Sequence, residues 1–307
     1  MSLKHILSLL DLNKSDMDRL FALAAEFKSR SQKGIIDHHL SGKVLGLIFD
    51  KPSTRTRISF EAAMMQLGGS TVFLNKNDLQ LTRHEPIRDT ARVISRYIHV
   101  LAIRTFSQKM LEEFALNASI PIINALTDSY HPCQILSDIL TIIEHRQTYE
   151  HLNIVWLGDG NNVAHSWINA SAILGFNLVL CCPQGFSPDT EILNNARQLG
   201  GRITESSEPY EAVKSADVIY TDVWVSMGQK EQESQKTLFQ PYQINKQLLA
   251  HAPKDAMVMH CLPAHRGEEI TDEVLEGNQS VVWDQAENKL HLHKALLVEL
   301  LLNRNSI

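Results

Sequence analysis

The chain has 307 residues, 44% of them hydrophobic, and a net charge of −6 from interspersed basic and acidic side chains. That length exceeds what one hydrophobic core usually serves, so two domains are predicted. The mildly acidic balance gives no reason to expect nucleic acid or an anionic membrane as a partner, and no apolar run approaches the ~20 residues of a transmembrane helix.

Residues 1–12 show neither a long apolar segment with a small-residue cleavage site nor an arginine-rich transit pattern, so a cytoplasmic protein is expected. The cysteines are Cys133, Cys181, Cys182 and Cys261, with no CxxC among them, and free thiols are expected.

In chain order, the first strand candidates are 44–49, 71–74, 99–103 and 120–124. Helical spacing between them puts Ile58, Ala62 and Met65 on one face of 54–67, a helix ended by Gly68-Gly69. The same spacing puts Ile87, Ala91, Ile94 and Ile98 on one face of 85–98. Residues 132–148 read as a long helix with the stripe Ile135, Ile139, Ile142 and Ile143. A second strand series follows at 153–157, 178–182, 218–221, 257–260 and 281–283. The leucine-rich 289–302 closes the chain as a helix that needs a packing surface.

Strands alternating with amphipathic helices predict an α/β protein of two domains, each a parallel sheet flanked by helices, joined by long helices. The predicted domains are 1–149 and 150–288. The polar stretch 226–242 is long for a connection in a compact domain and reads as a lid or as a solvated segment.

The richest chemistry lies in Asp50-Lys51-Pro52-Ser53-Thr54-Arg55-Thr56-Arg57, between the first strand and its helix. Ser53 is a suitable N-cap. A helix N-terminus supplies N–H donors and partial positive charge, and the hydroxyls and guanidiniums beside it suit a phosphate. A capped surface helix carrying arginines is the plainer alternative.

Arg104 follows a strand, and the carboxyl ends of parallel strands are where α/β proteins bind ligands. His131-Pro132-Cys133-Gln134 places a histidine and a glutamine at one helix start, although each alone is an ordinary surface residue. Gly158-Asp159-Gly160-Asn161-Asn162 is a tight strand-to-helix turn, but Val163 stands where a dinucleotide fingerprint needs its third glycine. Asp222 ends a strand, where a carboxylate can pair with an α-ammonium or merely cap the next segment. Cys261-Leu262-Pro263 follows another strand, and Leu262 before proline is expected to be extended. A metal set of His260, Cys261 and His265 lacks the usual paired spacing.

These motifs, taken with Asp222-Val223-Trp224-Val225-Ser226-Met227-Gly228 and His260-Cys261-Leu262-Pro263, resemble the aspartate/ornithine carbamoyltransferase family over nearly the whole chain. The last two resemble its ornithine-using branch. The resemblance implies that carbamoyl phosphate is held by Ser53, Thr54, Arg55, Thr56, Gln80, Arg104, His131, Pro132, Cys133, Gln134, Cys261, Leu262 and Lys289. Thr56, Arg104 and His131 would point at the carbonyl oxygen, Gln134 would hold the carbamoyl nitrogen, and Arg57 would make supporting contacts. Ornithine would be held by Asn162, Asp222, Ser226 and Met227, with Arg104, His131, Cys261 and Asp222 as the catalytic set.

The resemblance also implies that carbamoyl phosphate binds before ornithine and that no cofactor or metal is needed. The C-terminal helix 289–307 would return to the first domain. A homotrimer is implied, with the Gln80 loop reaching a neighbouring subunit's active site. Two positions depart from the family pattern: His84 stands where many relatives have glycine, and Lys289 where arginine is usual. Lysine keeps the charge but loses the planar fork, so Lys289→Arg is predicted to tighten carbamoyl phosphate binding. The alternatives are a carbamoyltransferase for aspartate, putrescine or an N-acylated ornithine, a dinucleotide-dependent oxidoreductase resting on the glycine turn, and a non-catalytic binding subunit.

Overall fold

The computed structural model describes residues 3–75, 79, 85–225 and 233–302. Its contacts divide the chain into two units, Met1–Leu140 with Glu287–Ile307, and Thr141–Ala286.

Unit 1 contains α1 (Lys14–Gln32), β1 (Val44–Phe49), α2 (Arg55–Gln66), β2 (Ser70–Asn75), α3 (Ile87–Ile94), β3 (Val100–Arg104), α4 (Gln108–Asn117) and β4 (Ile122–Leu126), and α5 (Pro132–Arg146) starts in it. Its strands form a four-stranded sheet in the order β2-β1-β3-β4, every pairing parallel. The interior strands are continuous apolar runs because both their faces are covered; β3 is buried along its whole length. Ile48, Leu101, Ile103, Phe114 and Ile122 centre one core, and Ile87, Ala91, Ile94 and Ile98 pack against it as their spacing predicts. Lys28 of α1 donates to Asn288 at 2.8 Å.

Unit 2 contains β5 (Asn153–Leu157), α6 (Asn162–Leu174), β6 (Asn177–Cys181), α7 (Thr190–Gln198), β7 (Arg202–Ser206), α8 (Pro209–Ala212), β8 (Val218–Thr221), α9 (Glu233–Phe239), α10 (Lys246–Leu249), β9 (Met257–His260) and α11 (Asp272–Leu275). The last helix, α12 (Val282–Leu302), starts in unit 2 and ends in unit 1. The second sheet has the order β7-β6-β5-β8-β9, again all parallel. The α/β architecture of two parallel sheets flanked by helices is therefore as predicted.

Both sheets reverse direction beside their first strand, between β1 and β3 and between β5 and β8. Such switch points leave a crevice at the carboxyl ends of the strands.

The structure corrects several expectations. Residues 281–283 are not a strand: Val281 N donates to Val258 O at 3.0 Å, and α12 begins at Val282. A three-residue apolar run cannot distinguish a strand from a helix start. The buried face of α2 is Thr56, Phe60, Ala63 and Met64, while Ile58 and Met65 are 57% and 66% exposed. The apolar stripe read from the sequence is the wrong face, because Phe60, Ala63 and Met64 form a competing apolar stripe that is the one buried. Part of the expected lid, 226–232, lies outside the described residues, and α9 follows it.

Candidate active site

In unit 1 the β1–α2 loop is pinned to the loop after β3. Asp50 N donates to Arg104 O at 2.8 Å, Thr105 Oγ1 donates to an Asp50 carboxylate oxygen at 2.6 Å, and Lys51 pairs with Asp128. This fixes where α2 starts. The expected cap at Ser53 is corrected: the N-cap position is Thr54, in helical geometry, and it makes no side-chain capping hydrogen bond. The first-turn N–H groups are thus not closed by that side chain, which is the condition an anion site needs. Arg57 points to other work, donating to Glu61 at 2.9 Å and lying 3.6 Å from the Phe73 ring centroid.

Thr56, Arg104, His131 and Gln134 are all buried at the carboxyl ends of β1, β3 and β4. Lys289 joins two of them, because its Nζ donates to Thr56 Oγ1 at 3.1 Å and to Gln134 Oε1 at 2.8 Å. Gln134 Nε2 in turn donates to Asp138 at 2.8 Å, which fixes the amide's orientation. Burial, with Lys289, Arg104 and His293 nearby, holds the His131 imidazole well below the usual histidine range. It is therefore neutral at pH 7 amid fixed cations. Pro132 opens α5 and Cys133 follows it, with its Sγ donating to Asn124 O at 3.4 Å. Burial pushes that thiol up to about 12, so it behaves as a small core residue.

Sequence reasoning missed His293 in this region. Its ring stacks on Phe60 at 3.6 Å, its Nδ1 lies 3.0 Å from Ser59 Oγ, and burial depresses its basicity. Nothing in its local sequence signals the role, since its partners come from α2.

In unit 2 the β5–α6 turn is built from glycines for steric reasons. Gly158 has φ +128°, a region closed to side-chain-bearing residues, and a Cβ on Gly160 would lie 2.2 Å from Pro188 N. Asn161 caps α6, its Oδ1 accepting from Val163 N at 2.9 Å and Ala164 N at 3.2 Å. Its Nδ2 donates to Asp222 Oδ2 at 2.9 Å, so one amide both starts the helix and aims a carboxylate. An asparagine just before an apolar helix is a readable cap signal; its hold on Asp222 is not readable. Asn162 is half-buried in the first position of α6.

Asp222 follows β8, and its Oδ1 accepts from Val223 N at 2.8 Å and from Cys261 Sγ at 2.9 Å. Asp159, also missed, is half-buried in the turn after β5. Burial first, and then the nearby charge of Asp222, push its carboxyl up to about 7.

Leu262 is not extended: it has φ +56° and precedes a cis peptide bond to Pro263. Its N–H donates to His260 Nδ1 at 2.8 Å, and His260 Nε2 sits 2.9 Å from Glu269. Both ring nitrogens of His260 are engaged inside the protein, although His260, Asp222 and Cys261 bring donor atoms within 4.8 Å of one another. All four cysteines are free thiols.

The structure therefore gathers Thr56, Gln134 and Lys289 directly, with Arg104 and His131 close by, in unit 1. In unit 2 it gathers Asp222 and Cys261 directly, beside the turn that carries Asn162. Gln80, Ser226 and Met227 lie outside the described residues.

Residues 4–144 match the family model described as the aspartate/ornithine carbamoyltransferase carbamoyl-P binding domain, and 150–300 match that family's Asp/Orn binding domain. The chain is 56% identical over 296 residues to the ornithine carbamoyltransferase of Syntrophus aciditrophicus (strain SB), covering 96% of this chain and 98% of the relative. It resembles the solved structure of ornithine carbamoyltransferase from Pyrococcus furiosus with a TM-score of 0.93 and 47% identity, covering 98% of this chain and 97% of that one. The structure of the Burkholderia thailandensis E264 enzyme of that name gives 0.91 and 42%, covering 98% and 99%.

Proposed function

The chain belongs to the aspartate/ornithine carbamoyltransferase family, and we propose that it transfers the carbamoyl group of carbamoyl phosphate to the side-chain amine of L-ornithine, giving L-citrulline and phosphate. The observation that carries the choice of amine is Asp222, a carboxylate fixed on both oxygens by Asn161, Val223 and Cys261 at the end of β8. A carboxylate there suits an α-ammonium and disfavours a substrate with an additional carboxylate, such as aspartate.

On this reading the phosphate lies against Ser53, Thr54, Arg55 and Thr56 at the start of α2. Arg104, His131 and Thr56 donate to the carbonyl oxygen, where negative charge develops in the transition state. Neutral His131 can donate one hydrogen bond without binding the phosphate as a competing cation. Gln134, oriented by Asp138 and Lys289, holds the carbamoyl nitrogen.

Ornithine's α-groups lie against Asn162, Asp222, Ser226 and Met227, and its neutral side-chain amine attacks the carbonyl carbon. A C–N bond forms, the C–O bond to phosphate breaks from the tetrahedral intermediate, and the amine gives up one proton. Cys261, hydrogen-bonded to Asp222, stands beside the amino-acid groups and takes part in handling that proton. Fixing both reactants in line supplies much of the acceleration. Carbamoyl phosphate binds first.

The same reading includes a homotrimer with Gln80 reaching a neighbour's site, a cytoplasmic location, and a part in arginine metabolism. Among the described residues no helix is long and apolar enough to cross a membrane.

The test is product formation by purified protein from carbamoyl phosphate with L-ornithine, putrescine, N-acetylornithine or aspartate. Citrulline and phosphate in equal amounts, with ornithine strongly preferred, is the expected result. Preference for another amine would keep the carbamoyl phosphate assignment and remove the one built on Asp222. Light scattering that finds a monomer would remove the trimer.

A further inference from the structure

Asp159 stands two residues beyond Leu157, whose partner in β8 is Thr221, and Asp222 is the next residue after that. Thr221 Oγ1 donates to Leu157 O at 2.7 Å, which ties the two strand ends together. The turn carrying Asp159 is locked: Trp156 Nε1 donates to the Asp159 carbonyl at 3.0 Å, and Gly160 is wedged against the Ser187–Pro188 backbone.

The titratable groups that face Asp159 are Asp222 from the end of β8 and Cys182 after β6, the latter with Cys181 and Glu205 around it. None of these is a cation, and among the described residues no cation pairs with Asp159. The donors that hold Asp222 are an amide, a backbone N–H and a thiol, all neutral. Among the described residues, two carboxyl groups thus lie at neighbouring half-buried strand ends with no cation paired to Asp159. Such a place favours a ligand that brings an ammonium.

Resting on the ornithine reading above, we propose that Asp159 is a second ammonium-binding residue of the ornithine half-site: with Asp222 it holds the substrate's α-ammonium. In the free protein burial and Asp222 keep the carboxyl largely protonated below about 7. An ammonium beside it reverses that balance, so ornithine binding releases a proton from Asp159. Asp222 is the anchor fixed by hydrogen bonds on both oxygens, and Asp159 adds a second anion whose charge appears with the ligand.

The proton lost by ornithine's own side-chain amine would mask this release, so the probe is L-2-aminopentanoate, which is ornithine without that amine. Its binding to the full chain, saturated with carbamoyl phosphate, is followed by titration calorimetry at pH 6, 7 and 8 in two buffers of different ionisation enthalpy. The α-ammonium of a free amino acid, unlike a peptide's terminal amine, sits beside its own carboxylate and keeps its proton through this range.

A carboxyl that titrates at about 7 and ionises on binding makes affinity rise about tenfold from pH 6 to pH 8, with proton release greatest at the acid end. Asp159→Asn, which keeps the shape and removes the charge change, should bind with nearly pH-independent affinity and release no proton. Unchanged affinity from pH 6 to 8 in the unsubstituted protein would overturn the proposal without needing the variant. A pH dependence and proton release that persist in Asp159→Asn would overturn it as well. If the unsubstituted protein forms citrulline while either of those results is found, this inference fails and the ornithine reading stands. If it forms no citrulline, the ornithine reading itself fails.

Discussion

In unit 1 the side chains gathered at the carboxyl ends of β1, β3 and β4 are cations and histidines: Arg104, His131 and, from α12, Lys289. In unit 2 the corresponding ends of β5, β8 and β9 carry Asp159, Asp222 and Cys261, with Asn161 donating to Asp222. The sheets share parallel pairing and the same kind of switch point, yet their chemistry is opposite in sign. Burial acts on both, lowering the basicity of His131 and raising the Asp159 carboxyl to about 7. The same desolvation therefore moves each half toward neutrality. The comparison teaches that sheet topology sets where each ligand goes, while the few residues beyond the strand ends set which charge it carries.

The largest effect that can break this comparison is expected from Asp222→Ala. Removing one partner of a fixed charge pair costs ~2–5 kcal/mol, so kcat/KM for ornithine should fall by about 30- to 5,000-fold in initial-rate assays. A fall below about tenfold would place the ammonium elsewhere.

Gly160→Ala comes next. The added Cβ would meet backbone atoms at 2.2 and 2.5 Å, not a flexible side-chain end. Overpacking of this kind costs ~2–3 kcal/mol, which lowers Tm by about 5–10 °C. Calorimetry on this variant should show the loss, and an unchanged Tm would mean that the turn is not wedged.

Asp159→Asn sharpens the comparison from the stability side. The folded carboxyl titrates at about 7, well above its unfolded value, so wild-type stability falls as pH rises from about 4 to 7 and stays reduced above that. The asparagine variant avoids this loss and should be more stable at pH 8 by ~1–2 kcal/mol, an advantage that disappears near pH 4. Thermal melts across that range check the sign. A variant that gains a functional penalty together with stability is what a binding-site carboxyl predicts.

Lys289→Arg should have the smallest effect. The lysine makes single hydrogen bonds to Thr56 and Gln134, and a guanidinium fork adds bidentate reach. Carbamoyl phosphate should bind about two- to tenfold tighter, read from its Kd. Equal or weaker binding would show that this pocket is shaped for the ammonium.

Much of the fold is legible because interior parallel strands are unbroken apolar runs. The interior strands β1, β5 and β8 have the bounds their sequences predict, and so does the edge strand β9, which is buried along its length. The edge strand β7, Arg-Ile-Thr-Glu-Ser, escapes notice because only Ile203 is buried in it. Of the run Ser53-Thr54-Arg55-Thr56, Thr56 is the residue brought against Lys289, which also holds Gln134, a meeting that no spacing in the sequence shows. Asp159 and His293 are not legible, because their properties come from burial and from charges on other elements. Asn161 is half legible, as a cap but not as the group that aims Asp222. The exposed stripe of α2 misleads because a second stripe of helical spacing, Phe60, Ala63 and Met64, is the one that is buried, and Thr56 lies on that face.

The most direct test of the two-half account is the binding of carbamoyl phosphate alone, by equilibrium dialysis, to Arg104→Ala and Asp222→Ala side by side. Loss of a buried arginine from the anion half should weaken Kd by at least about thirtyfold. Loss of Asp222 should leave it within about twofold of the unsubstituted protein. Equal weakening in both variants, or weakening confined to Asp222→Ala, would contradict the division of charge between the two units.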